Sequence, residues 1–94
     1  MKVKIKICGV NDEASAKASY QADFIGFVFY QKSPRFVTAI KAKRLSKFLK
    51  KNQKIVGLFV DADLNLVEHI VEYVGLDYIQ FHGKETAAYI EKIK

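Results

Sequence analysis

The sequence predicts an α/β protein in which parallel strands alternate with helices. Segments with strand periodicity and segments with helical periodicity follow one another four times along the chain. The second and third strand segments are apolar at almost every position, the pattern of strands covered on both faces. Parallel neighbours cannot be joined by a tight turn, and the intervening helical segments supply the right-handed crossovers they require.

The first strand, near residues 2 to 8, alternates in character. Lys4, Lys6 and Cys8 share one face and Val3, Ile5 and Ile7 the other. Gly9 begins a turn, and Asn11 is expected to cap a helix with Asp12 and Glu13 in its first turn. Ala14, Ala16 and Ala18 give that helix a small-residue surface for close packing. The second strand is Phe24-Ile25-Gly26-Phe27-Val28-Phe29, and a polar loop with Ser33-Pro34-Arg35 follows it. Thr38 is the expected cap of a second helix, where Ala42, Leu45 and Leu49, with Phe48, form a stripe of helical period.

The third strand is Ile55-Val56-Gly57-Leu58-Phe59-Val60. Asp61 and Asp63 introduce a helix whose expected buried stripe is Leu66, Val67, Ile70, Tyr73 and Val74, with Gly75 as its C-cap. The fourth strand, Tyr78-Ile79-Gln80-Phe81-His82, ends at Gly83, and residues 84 to 94 read as a last helix with Ala87, Ile90 and Ile93 inward.

Length and composition narrow the class. Ninety-four residues without a linker or low-complexity stretch predict a single unit over residues 1–94. No apolar run reaches membrane-spanning length and no signal-peptide core follows Met1, so a cytoplasmic protein with no membrane partner is expected. A lone cysteine excludes an internal disulfide and suits a reducing compartment. The formal charge is +6, but all cations except Arg35 and Arg44 are lysines spread along the chain. That distribution reads as solvated helix surface rather than a nucleic-acid footprint.

Four strand–helix units fit either a small open parallel sheet or half of an eight-stranded barrel, which normally takes about 250 residues. Parity leans toward the barrel. Lys4, Lys6 and Cys8 on the first strand, and Tyr78, Gln80 and His82 on the fourth, place polar residues where a barrel mouth would lie.

Five motifs in order then carry a resemblance: Lys6-Ile7-Cys8-Gly9, Ala22-Asp23 with Gly26-Phe27-Val28-Phe29, Ser33-Pro34-Arg35-Phe36-Val37, Val56-Gly57-Leu58-Phe59-Val60, and Gln80-Phe81-His82-Gly83-Lys84-Glu85. From residue 3 to about residue 85 the chain resembles phosphoribosylanthranilate isomerase of tryptophan biosynthesis. The resemblance implies the (βα)4 amino-terminal half of a TIM (βα)8 barrel and an Amadori rearrangement of an aminoaldose phosphate, with no cofactor and no metal. It implies that Cys8 is the general base that removes the sugar C2′ proton, a task for a thiolate. Lys6, on the same face, is a candidate for the cationic field that favours that thiolate. Arg35 matches the arginine that holds the anthranilate carboxylate, for which a planar fork is suited. Gln80 and His82 match residues lining the mouth.

Two departures accompany the matches. The family's general acid, an aspartate after the fifth strand, and its phosphate-binding loops after strands seven and eight have no counterpart in these residues. Gln21 stands where the family commonly has glycine before Ala22-Asp23. The expectation is a half site that is inactive without a carboxy-terminal half. Strands bearing Phe27, Phe29, Gly57 and Phe59 are expected to present an inner face to water and so to drive homodimerisation or pairing with a complementary half. The alternatives are a non-catalytic half-barrel that self-associates and a basic binding module. Outside the resemblance, Cys8 reads as an inert buried thiol, Arg35 as a surface cation, His82 as a structural histidine, and Asp61 and Asp63 as helix caps.

Overall fold

The computed structural model describes residues 4–82 and 89–91. Strands β1 (Lys6–Cys8), β2 (Phe24–Val28), β3 (Lys54–Val60) and β4 (Tyr78–His82) lie side by side in chain order, all parallel. Helices α1 (Glu13–Ala18), α2 (Ala39–Ser46) and α3 (Leu64–Ile70) make the three crossovers between them. A fifth strand, β5 (Tyr89–Glu91), pairs antiparallel with β4.

The last element corrects the expected helix over 84 to 94. Residues 89–91 are extended, and the rest of that segment lies outside the described residues. The physical reason is the free edge of β4, whose backbone groups would otherwise lack sheet partners. Three extended residues satisfy them, with Ile79 opposite Ile90.

The sheet register assigns the two faces. Cys8, Gly26, Val56 and Tyr78 are neighbours across the four strands, as are Val28, Leu58 and Gln80. These positions form the inner face that sequence parity had placed at a barrel mouth. Ile25, Phe27, Phe59 and Ile79 alternate onto the other face, under the helices, with at most 1% of their surface exposed. There they meet Val10, Ala16, Val37, Ala42, Leu45, Val67 and Ile70 in one core. Phe29 stacks on Phe59 with ring centroids 5.3 Å apart, and Phe59 meets Phe81 at 6.3 Å.

The same register sorts the aromatics and Gly57. Phe27, Phe29 and Phe59 belong to the helix-covered side, and Gly57 admits Leu76 there: a β-carbon at residue 57 would sit 2.5 Å from Leu76 Cδ1. The inner face is instead carried by Phe24, Val28, Val56, Leu58 and Val60, with Cys8, Lys6 and Gln80. Register is what decides this, because a one-residue offset exchanges the faces.

The sheet is curled. β1 and β4 are three strand spacings apart, about 14 Å if the sheet were flat. Yet Lys6 Nζ donates a hydrogen bond to Gln80 Oε1 at 2.5 Å. Phe24 on β2 similarly reaches Tyr78 on β4, with ring centroids 5.9 Å apart. Side chains standing perpendicular to a flat sheet could not make these contacts, and curvature of barrel type brings them together.

Helix ends follow local chemistry with small shifts. Asp12, not Asn11, caps α1: its carboxylate accepts from Ser15 N at 2.7 Å, and Ser15 Oγ accepts from Asp12 N, a reciprocal box. Thr38 Oγ1 caps α2 by accepting from Lys41 N. Asp63 caps α3 through Asn65 N at 2.8 Å. The chain continues from α3 into a π-helical turn, Val71–Gly75, closed by Leu76 N donating to Val71 O and by Gly75 at φ +88°. The buried stripe is Val67, Ile70, Val71 and Val74, so Leu66 and Tyr73 fall on its flanks and are exposed.

Candidate active site

Cys8 is the last residue of β1, exposed and free. Gly9 follows at φ +83°, a backbone state that glycine adopts without cost. The turn is tied to β2: Gly9 N and Val10 N both donate to Gly26 O, at 2.9 and 3.1 Å. The thiol is thus placed at the carboxyl end of a strand whose exit is anchored to the neighbouring strand.

Arg35 arrives from the loop after β2. Ser33 Oγ accepts from Arg35 N at 3.1 Å, and Val37 N returns to Val28 O at 2.9 Å, pinning the loop beside β2. The Arg35 side chain then lies over the bare face of Gly9. A β-carbon at residue 9 would be 2.3 Å from Arg35 Cδ. Any side chain there would expel the arginine stem.

Cys8 and Arg35 consequently line one cavity of about 420 Å³, together with Gly9, Val28, Tyr30, Ser33, Leu58 and Val60. It opens at the carboxyl ends of β1, β2 and β3. A thiol that can exchange a proton and a guanidinium that can grip a carboxylate share an apolar-floored hollow. Tyr30 and Ser33 are members that no single-residue reading singled out. Tyr30 has the parity of Val28, and that parity is the signal that could have found it.

The remaining candidates divide. Lys6 and Gln80 are joined to each other on the inner face, neither lining this cavity. Lys6 thus points its ammonium across the sheet to Gln80. His82 closes β4 in register with Val60, and its side chain lies outside the described residues. Asp61 and Asp63 line a separate hollow of about 570 Å³ between the β2–α2 loop and α3. Among the described residues no group of histidine, cysteine and acidic side chains could hold a metal ion, and no helix is long and apolar enough to cross a membrane.

Comparison with known proteins gives this arrangement its context. The family model for N-(5'-phosphoribosyl)anthranilate isomerase matches residues 5–94. The chain belongs to the phosphoribosylanthranilate isomerase family. It is 42% identical over 88 residues to the isomerase of Geobacter sp. (strain M21), covering 92% of this chain and 43% of that protein. Among solved structures, an isomerase in complex with reduced 1-(o-carboxyphenylamino)-1-deoxyribulose 5-phosphate superposes with a TM-score of 0.80 at 36% identity. That match covers 90% of this chain and 45% of the other. A structure of monomers of the dimeric isomerase from Thermotoga maritima gives 0.79 at 36% identity, covering 90% and 44%. The chain therefore spans less than half the length of the relatives it matches, and its four parallel strands with their helices correspond to part of a TIM-barrel isomerase.

Proposed function

We propose that this chain is the amino-terminal half of a phosphoribosylanthranilate isomerase barrel, its first four parallel strands, and supplies one side of its active site. The reaction opens the ribose ring of N-(5-phosphoribosyl)anthranilate to a Schiff base and then shifts a proton to give the 1-deoxyribulose 5-phosphate product. In this reading the Cys8 thiolate takes the proton from the sugar C2′, leaving an enol that tautomerises to the ketone. Arg35 holds the anthranilate carboxylate in the same hollow through its planar fork. Lys6, Gln80 and His82 form the polar lining on the inner face. The group that protonates the ring oxygen and the loops that hold the phosphate come from a carboxy-terminal half, without which the chain is inactive.

The observation that carries this reading is the meeting of Cys8 and Arg35 in one cavity at the strand ends, in a chain of this family. The cytoplasm is the proposed compartment, and residues 1–94 the unit that folds. The test is an assay of the rearrangement with this chain alone, with a carboxy-terminal half added, and with Cys8→Ser in the mixture. Activity should appear only in the mixture, and Cys8→Ser should lower it about 10²- to 10⁴-fold, the usual worth of a general base. An assembled mixture that stays inactive would end the split-enzyme reading.

One feature favours a second reading, a non-catalytic half-barrel that self-associates as a homodimer. Ile7 in β1 and Ile5 just before it are 38% and 48% exposed on the edge strand of the sheet. Sedimentation at several concentrations separates the readings: a dimer that forms without a second half, and persists when one is added, supports this alternative.

A further inference from the structure

We propose that Gly26 is a positioning residue for the Cys8 thiol. The two residues are register partners on adjacent strands and so face the same side of the sheet. A β-carbon built on Gly26 would lie 3.0 Å from Cys8 Sγ, 3.2 Å from Cys8 Cα and 3.4 Å from Cys8 Cβ. The bare glycine is therefore the wall against which the thiol rests, and its lack of a side chain sets the rotamer the sulfur adopts. Glycine in a strand interior weakens the strand, and a close approach by another group is the usual compensation. Here the approaching group is the one side chain at the end of β1 with nucleophilic chemistry.

Gly26 acts twice on the same residue. Its carbonyl accepts from both Gly9 N and Val10 N, fixing the turn that ends β1 immediately after Cys8. Its missing β-carbon then leaves the sulfur a lateral slot beside β2. Backbone and side chain of Cys8 are located by one neighbour, and the cavity shared with Arg35 depends on both. Gly57 is the contrasting case. Its β-carbon would meet Leu76 at 2.5 Å on the helix-covered face, so that glycine serves core packing.

This inference rests on the reading of Cys8 as the base, but its test does not require activity. The experiment is alkylation of Cys8 by iodoacetamide across a range of pH, in the 94-residue chain and in its Gly26→Ala and Gly57→Ala variants, with circular dichroism confirming the fold. Gly26→Ala should change the alkylation rate at fixed pH by about threefold or more, because thiol reactivity follows the sulfur's surroundings. Gly57→Ala should lower stability and leave the folded-state rate unchanged. If Gly26→Ala fails to fold, the double variant with Cys8→Ala should recover structure by removing the sulfur, a coupling expected only of groups in contact. An alkylation profile unchanged in a folded Gly26→Ala variant overturns the proposal, as does a double variant no more folded than Gly26→Ala alone. Full activity of Cys8→Ser in the complemented enzyme would instead sink the base reading and leave the alkylation result standing.

Discussion

Replacing Gln53 with leucine should be among the most destabilising polar substitutions in this chain. Gln53 precedes β3 and is 6% exposed. Its Nε2 donates to Ser19 O at 2.8 Å and to Ala22 O at 2.9 Å, while its Oε1 accepts from Lys50 N at 2.8 Å. One amide thus joins the α1–β2 turn to the approach to β3, across more than thirty residues of sequence. Leucine would keep the volume and remove all three bonds. Lys50 is exposed, so water replaces its partner at little cost. Ser19 O retains the bond from Ala22 N at 3.0 Å and loses only its second partner, a loss of about 1 kcal/mol. Ala22 O is left in buried surroundings, at about 1–3 kcal/mol. The sum is about 2–4 kcal/mol. For a domain this size each kcal/mol moves Tm by about 4–8 °C, so a fall of at least about 8 °C is expected. Urea unfolding followed by circular dichroism, at one fixed protein concentration, measures it directly. Gln53→Glu should be worse, since it sets a carboxylate against two carbonyl oxygens. A loss under about 0.5 kcal/mol for Gln53→Leu, the range of ordinary surface changes, would refute the reasoning.

Other substitutions test the remaining contacts. Asp77 Oδ2 accepts from Ile55 N at 2.9 Å in a partly buried setting, so Asp77→Ala should cost about 1.5–3 kcal/mol in the same urea assay. The Ser15 backbone N–H, then the Ser15 hydroxyl, hold the Asp12 carboxyl below its ordinary 3.8. Its contribution is therefore complete above that value and is lost as pH falls through the lower folded value. Asp12→Asn keeps the cap and should abolish that part of the acid dependence, read from unfolding midpoints at successive pH values. In the complemented enzyme, Arg35→Lys should raise KM about tenfold, by loss of the two-point grip on a carboxylate, with a smaller change in kcat.

Much of the scaffold was legible because it rests on local chemistry. Thr38 announces α2, Gly75 announces the end of the third helical segment, and the alternation in β1 and β4 assigns Lys6 and Gln80 to one face. What sequence hides is what depends on register and distance. Phe27 and Phe59 look the same whichever face they occupy, and only the pairing of β2 with β3 puts them under the helices. The shift of the α1 cap from Asn11 to Asp12 turns on Ser15, which completes a box for one and not the other. The helical pattern of residues 84 to 94 competed with an open strand edge, and at residues 89–91 the edge prevailed. For the site, Cys8 and Arg35 were visible as chemistry. That they share a hollow, and that Arg35 lies over the bare face of Gly9, follows from contacts between strand and loop that no spacing reveals.

The polar ties fall at one end of the sheet and the candidate site at the other. Asp23 Oδ2 accepts from Ile5 N at 2.8 Å, and Asp77 repeats the device with Ile55 N. Gln53 fastens the same end, where the strands begin. Asp23 and Asp77 each also donate their backbone N–H to the residue whose N–H they accept, Ile5 and Ile55 respectively. The β1–β2 and β3–β4 pairs are thus locked by the same short carboxylate at their amino ends. At the carboxyl ends the ties described are backbone ones, Gly9 N and Val10 N to Gly26 O and Val37 N to Val28 O, beside a loop with an exposed arginine. A barrel enzyme divides its work this way, because rigid strand origins let the opposite ends vary without loss of the fold. It follows that substitutions at Asp23, Asp77 and Gln53 should act on stability and leave the chemistry of Cys8 untouched in whatever fraction remains folded. Substitutions at Gly9, Gly26 and Arg35 should change Cys8 alkylation in the folded fraction, by an amount that does not follow their effect on stability. Measuring both unfolding and Cys8 alkylation in the two sets decides it, and a single correlated trend through all of them would show that the two ends are not independent.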